Sequence, residues 1–156
     1  MRTAEELRYL ILAAQREGNR RLAAALAPIG LTPAQSEALR IIEDHGPLAL
    51  NQLGDMLVCD SGTSPSRIVD RLVVAGLVQR SPGEHDRRQV RLTITPQGES
   101  RAAHVRAIED ELSDAIDGAL DGVDTEMLVR FLRGVTQGSP AGNALDRRLA
   151  AEESAT

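Results

Sequence analysis

The chain has 156 residues, 42% hydrophobic and 26% charged, which suits one globular domain, and it lacks the run of about 18 apolar residues that a membrane span needs. Its first ten residues, MRTAEELRYL, contain acids and no continuous apolar stretch, so we expect no signal peptide. The single cysteine, Cys59, excludes an internal disulfide and fits a cytoplasmic protein, while the net charge of −5 by itself argues against a nucleic-acid partner.

Helical patterning begins close to the N-terminus. Apolar residues recur at helical spacing over residues 5–27, and Pro28 and Gly30 end this first predicted helix. A second predicted helix opens at the capping box of Thr32 and Gln35 and stops at the sequence HGP. Two helices therefore precede the central part of the chain.

The central part predicts a helix-turn-helix. After a short element at 48–50, Asn51 is the predicted N-cap of a third helix, and residues 59–62 form a tight turn. A fourth helix is predicted from about Ser64 to Ala75, followed by Gly76 where a left-handed residue is favoured. Two short helices joined by a glycine-containing turn are typical of this motif.

A β-hairpin is predicted directly after the fourth helix. Residues 77–80 and 90–94 have strand character, the second with strict alternation of apolar and polar residues, and the segment between them is rich in turn residues. The tip of this hairpin carries Asp86, Arg87 and Arg88.

Two further helices and a tail complete the predicted elements. Thr95 caps a helix that begins at Pro96 and runs to about Leu120, and another spans residues 125–136. The tail after Pro140 is compatible with either a short helix, ALDRRLAAEE, or disorder.

Charge is distributed unevenly along the chain. The stretch from Ser61 to Arg91 holds six arginines and three acids, a net +3, whereas the remainder holds 12 basic and 20 acidic residues, a net −8. A local basic patch on an acidic protein indicates a polyanionic partner, and this local signal outweighs the overall negative charge.

These segments resemble the MarR (multiple antibiotic resistance regulator) family of winged helix-turn-helix regulators. The resemblance rests on the order and spacing of LTPAQSEALRIIEDHGPLALNQLGDML (31–57), SRIVDRLVVAGLVQR (66–80) and DRRQVRLTITPQG (86–98), and it extends from about residue 5 to 137. It implies a mainly α fold with a small β-hairpin wing.

The resemblance also implies an organisation. A single domain, 1–156, would contain the DNA-binding part at about 31–95 and dimerisation helices at 5–27 and 96–137, followed by the tail at 138–156. The function implied is that of a homodimeric, sequence-specific regulator of double-stranded DNA, commonly a ligand-responsive repressor acting on a pseudo-palindrome.

The predicted DNA contacts lie on the fourth helix and the wing. A recognition helix reads the major groove, and an arginine at a wing tip suits a narrow minor groove. For the wing, the resemblance implies that Asp86 orients an arginine and that Arg88 enters the groove; a merely solvated turn is the alternative. The helix contacts are predicted at Ser61, Thr63, Ser64, Ser66, Arg67 and Arg71, and the wing contacts at Asp86, Arg87 and Arg88.

Several of these residues have simpler interpretations. Hydroxyl residues before a helix are often N-caps, and Arg71 is equally compatible with a surface ion pair to Asp70 or another acid. Pro65 stands where the family usually has an apolar residue, and proline is tolerated only in the first helical turn. We therefore expect the recognition helix to start late, near Ser64.

Family members often bind small aromatic or anionic effectors between the dimerisation and DNA-binding parts. By position, such an effector is predicted at Tyr9, Leu12, Arg16, Ile42 and His45. Oxidation of Cys59 beside the recognition helix is an alternative sensing mechanism, and a packed, inert thiol is the plainer interpretation.

Other classes of function are disfavoured. No phosphate loop, nucleophile elbow or paired catalytic motif indicates an enzyme, and the three histidines and one cysteine show no metal-ligand spacing. No cofactor is expected. A winged helix that only docks other proteins is the remaining alternative, and the arginines of the wing argue against it.

Overall fold

The computed structural model describes residues 2–59, 62–83 and 86–154. Over these residues the fold is mainly helical, with one small antiparallel sheet. In chain order the elements are α1 (Thr3–Leu26), a 3-10 turn (Ala27–Ile29), α2 (Pro33–His45), β1 (Leu48–Ala49), α3 (Leu50–Met56), α4 (Pro65–Val74), β2 (Val78–Pro82), β3 (Val90–Ile94), α5 (Pro96–Ala119), α6 (Thr125–Thr136) and α7 (Pro140–Ser154).

Capping residues set the predicted helix starts. The Thr32 hydroxyl accepts from the Gln35 amide at 3.3 Å, and the Gln35 side chain accepts from the Thr32 amide at 3.0 Å, which confirms the capping box. The Thr95 hydroxyl likewise accepts from the Gly98 amide at 3.0 Å at the start of α5. The prediction for Asn51 is wrong: it lies inside the first turn of α3, and the Gln52 side chain accepts from the amide of Ala49, one residue before the helix.

Helix α2 lies at the centre of the molecule. Leu39, Ile41 and Ile42 are at most 1% exposed, and α2 contacts α1, α3, α4, α5 and β3. The core around it includes side chains from every one of these neighbours, among them Leu26, Leu53, Leu72, Leu92 and Val105. The position of α4 is therefore set mainly by apolar packing on α2.

The sheet attaches the wing to this core. Its strand order is β1-β3-β2, with Val78 opposite Ile94 and Leu48 opposite Leu92. Val78 and Leu92 are buried, whereas the residues toward the hairpin tip are mostly exposed. The wing is thus anchored at its base and projects at its tip.

The terminal helices leave apolar surface uncovered. Helix α6 has no buried residue, and its exposed apolar side chains are Met127, Leu128, Val129, Phe131, Leu132 and Val135. On α1, Leu7, Tyr9, Leu10 and Leu12 are between 39% and 56% exposed. Contiguous apolar surface of this kind indicates a partner.

The tail, for which sequence left two alternatives, is helical. Helix α7 buries only the small residues Gly142 and Ala144, and it packs against α3 and α6. Gly142 is required by this packing, because a Cβ there would collide with the main-chain carbonyl of Thr136.

A cluster of charged side chains joins α2 to α5. The Glu43 carboxylate accepts hydrogen bonds from Arg40, at 2.6 Å, and from Arg106, and Arg40 also reaches Glu109 at 3.3 Å. Burial raises the pKa of Glu43, but the hydrogen bonds from Arg106 and Arg40 outweigh it, so the pKa lies below its ordinary value of 4.5. Burial is the larger effect at Glu109 and raises its pKa.

We expect Glu43→Gln to lower the free energy of unfolding by about 1–2 kcal/mol at pH 7, because it weakens the charge-assisted hydrogen bond from Arg106 of α5 and the one from Arg40 within α2. A group with a lowered pKa stabilises the fold above its unfolded pKa and loses that contribution as the pH falls through its folded pKa. The difference between variant and wild type should therefore shrink below about pH 4 in urea titrations. Glu126→Gln, which disrupts an exposed ion pair on α6, is the control; an equal effect of both variants at all pH values would contradict this account.

Candidate nucleic-acid interface

Helix α4, the predicted recognition helix, starts where Pro65 requires. Ser64 is the N-cap and accepts from the Arg67 amide at 3.4 Å, and Pro65 occupies the first helical position. The expected late start is confirmed, and the Ser64 hydroxyl is already engaged as a cap. It is therefore less available to a base than the exposed hydroxyl of Ser66.

Helix α4 is strongly two-sided. Ile68, Val69 and Leu72 are at most 3% exposed and pack on the core. The opposite side carries exposed Ser66, Arg67, Asp70 and Arg71, and Thr63 is exposed just before the helix. Ser61, also predicted as a contact, lies outside the described residues.

The ion pair of the recognition helix differs from the one weighed on sequence. Asp70 pairs with Arg80 of β2 at 2.6 Å, and not with Arg71. This exposed pair is worth no more than about 1 kcal/mol, but it connects α4 to the base of the wing. It also neutralises Asp70, so Arg67 and Arg71 determine the charge of the outward face.

The wing tip is shaped by Asp86. Its carboxylate accepts from the main-chain amide of Arg88 at 2.9 Å, and the Asp86 carbonyl accepts from the Gln89 amide at 3.0 Å. The expected contact to an arginine side chain is replaced by one to the backbone, since a short aspartate readily bonds the amide two residues on. Arg87 and Arg88 occupy the resulting turn and are exposed.

A cavity of about 630 Å³ lies between α1, α2 and α4. Arg16, Asn19 and Arg20 line it from α1, and Arg71 lines it from α4. The N-terminal turn of α2 lies at the same wall, and its capping box already engages the amides of Thr32 and Gln35. The guanidinium groups of Arg16, Arg20 and Arg71 favour an anionic occupant, and Arg20 also pairs with Glu17 at 2.8 Å.

The effector residues predicted from sequence are only partly brought together. Arg16 lines this cavity, and Tyr9 and Leu12 line a neighbouring pocket with Arg16. Ile42 is 1% exposed in the core, so it is unavailable to a ligand in this chain. His45 lies at the far end of α2, about 15 Å along the axis from the turn that lines the cavity.

Sequence reasoning missed Asn19 and Arg20 as cavity residues. With Arg16 they follow the i, i+3, i+4 spacing that places side chains on one face of a helix, a signal that was present in the sequence. It also did not predict the contact between β3 and α3 in which the Arg91 guanidinium donates to the Gln52 side chain at 3.5 Å.

Cys59 lies beside the same cavity. It is half-buried, and its main-chain amide donates to the Glu37 carboxylate at 2.8 Å. Its proposed sensing role stays a prediction. In the part of the chain that the structure describes, no helix is long and apolar enough to span a bilayer, and no cluster of acidic, histidine and cysteine side chains is arranged to hold a metal ion.

The chain is similar in sequence to known regulators of the MarR family. The sequence model of the MarR family matches residues 31–90. The chain is 30% identical over 98 residues to the organic hydroperoxide resistance transcriptional regulator of Bacillus subtilis, covering 63% of this chain and 66% of that protein. It is 32% identical over 102 residues to the HTH-type transcriptional regulator FarR of Neisseria gonorrhoeae, covering 65% and 68% respectively.

A solved structure shares the fold over most of the chain. A MarR variant from E. coli, complexed with operator DNA, superimposes with a TM-score of 0.72 at 27% identity, over 83% of this chain and 93% of that one. The similarity therefore includes helices outside the segment that the family sequence model matches.

Proposed function

Because the chain belongs to the MarR family of DNA-binding transcriptional regulators, we propose that it is a homodimeric repressor that releases a pseudo-palindromic operator when a small effector binds. As a regulator it is not an enzyme. We infer a cytoplasmic location, where its DNA partner would be.

The observation that carries the proposal is the pairing of α4 with the wing. Both lie in the stretch of net charge +3, and both present exposed arginines: Arg67 and Arg71 on α4, Arg87 and Arg88 on the wing. Ser66 and Arg67 suit the major groove, and Arg88 suits the minor groove beside it. Thr63, Ser64 and Ser61 would add phosphate contacts or capping.

The homodimer is supported by the uncovered apolar surface. The apolar side of α6 and the N-terminal part of α1 fit the expectation that the terminal helices, 5–27 and 96–137, form the dimer interface. A second copy related by a two-fold axis covers the same surface on both chains. It also presents two recognition helices to half-sites about 10 bp apart.

The effector is supported by the arginine-lined cavity. It touches both α1, of the proposed dimer interface, and α4, of the DNA-reading surface. An anion bound there would draw Arg71 away from DNA and toward α1, which couples occupancy to release. An aromatic carboxylate suits the combined apolar and cationic lining.

The proposal is tested by fluorescence anisotropy with duplex DNA from upstream of the protein's own gene, at two salt concentrations and with random duplex as competitor. Competitor-resistant binding that weakens steeply with salt supports it. Binding no tighter to that duplex, or to any selected duplex, than to random DNA would contradict it.

In the same assay, Arg88→Ala should weaken specific binding by about 1–3 kcal/mol, because the wing loses its minor-groove cation. The control is Arg130→Ala, which removes an equal charge from the exposed polar side of α6. Equal affinities of the two variants would exclude the wing from DNA binding.

Phe131→Asp should convert the dimer into monomers, because it places a charge in an apolar interface. We expect the dimer dissociation constant to rise about 100-fold or more. Sedimentation velocity across a concentration series measures this, with Arg130→Ala, at an exposed charged residue of α6, as the control. A Phe131→Asp variant that stays dimeric would show that α6 is not the interface.

Arg16→Ala should weaken binding of benzoate, used as a small aromatic carboxylate, by about tenfold in an NMR titration, because the cavity loses a guanidinium. Arg21→Ala is the matched control, since Arg21 pairs with Glu17 and does not line the cavity. Benzoate that perturbs no cavity residue, or binds both variants equally, would contradict the anion site.

A further inference from the structure

One carboxylate accepts hydrogen bonds from two residues, Val58 and Cys59, of the segment that leads toward α4. Helix α3 ends at Met56, and α4 begins at Pro65. Between them, the amides of Val58 and Cys59 donate to the two oxygens of Glu37 at 2.9 and 2.8 Å. Glu37 lies on α2, 21 residues earlier than Val58, and its side chain is only 12% exposed. The carboxylate thus connects Val58 and Cys59 to the central helix.

The carboxylate is in turn held by α7. Arg148 donates to Glu37 Oε1 at 3.0 Å. The neighbouring Arg147 donates to the main-chain carbonyl of Asp55 in α3 at 3.3 Å. Two successive arginines of α7 therefore contact the first helix of the helix-turn-helix and the anchor of its connecting segment.

The other side of α7 is joined to the proposed dimerisation helices. Asp146 lies 3.6 Å from the Arg133 guanidinium of α6, and the close approach at Gly142 fixes the corner between α6 and α7. Three consecutive residues, 146 to 148, thus connect α6 with both α3 and α2.

We propose that Glu37 is a positioning residue for DNA binding and that Arg148 holds it, so that α7 acts as a brace between the terminal helices and the recognition helix. This inference rests on the proposed DNA-binding function. It assigns a role to a carboxylate and a tail helix that do not face DNA.

The geometry explains why such a brace affects base reading. Helix α4 has ten residues and is about 15 Å long, so a tilt of about 10° about its C-terminal end displaces its N-terminal end, where Ser66 and Arg67 lie, by about 3 Å. Hydrogen bonds to base edges tolerate only a few tenths of an ångström. Contacts to phosphate through long, flexible arginines tolerate more, so loosening the brace should reduce discrimination between sequences more than it reduces total binding.

The test combines hydrogen exchange with DNA binding in the full-length protein. Glu37→Gln loses one acceptor and the charge, and Arg148→Ala loses the ion pair alone. Both should speed amide exchange at Val58 and Cys59 without DNA, while exchange in the cores of α2 and α5 stays unchanged. Both should also reduce the preference for operator over random duplex by about tenfold.

Two controls separate positioning from charge and from general instability. Arg148→Lys keeps a cation at the pair and should restore the preference, and Arg130→Ala removes a charge from α6 and should leave it unchanged. Unchanged exchange at Val58 and Cys59 in both test variants would overturn the inference. The inference would also be overturned if both test variants preferred operator over random duplex as strongly as Arg130→Ala does. If the wild type itself shows no preference for any duplex, the proposed function fails, and the exchange result alone decides whether the brace exists.

Discussion

The packing of α2 among its neighbours is the constraint on which the rest of the structure depends. Leu39, Ile41 and Ile42 are almost completely buried, and the helix contacts α1, α3, α4, α5 and β3. Its charged residues also form contacts with neighbouring elements. Arg40 and Glu43 join it to α5, and Glu37 joins it to the segment before α4 and to α7. Each surface assigned to DNA, effector or partner is positioned relative to this one helix.

The residues proposed to bind DNA and the helices proposed to form the dimer lie in different parts of the fold. The base of the wing and the buried side of α4 share the core around α2, so the residues proposed to read DNA are attached to one core. The terminal helices instead expose apolar side chains that this core does not use. The arginine-lined cavity and the α7 brace both lie where these two parts meet, so events in the terminal helices can reach α4 through short paths.

Much of the fold was predictable because its boundaries are marked locally. Thr32, Thr95 and Pro96 define helix starts through caps and a fixed φ, and Pro65 correctly predicted a late recognition helix. The tail was ambiguous because α7 buries only Gly142 and Ala144, which give no apolar periodicity to detect.

The site was less predictable than the fold. Ile42 follows the same apolar pattern whether it faces a pocket or the core, and only the surrounding elements decide that it is buried. Asp70 was considered on sequence only as one possible partner of Arg71, yet its ion-pair partner is Arg80 of β2, ten residues later. The contacts of Glu37 at Val58 and Arg148 depend on tertiary packing that no local spacing encodes.

The most direct test of the central claim, a homodimer that reads DNA through two copies of α4 and its wing, is enrichment of bound duplexes from a random DNA pool by the full-length protein. The account predicts a pseudo-palindrome whose half-sites are centred about 10 bp apart, the spacing set by a two-fold axis. Recovery of a single unrepeated half-site would contradict the dimer, and recovery of no preferred sequence would contradict specific DNA recognition.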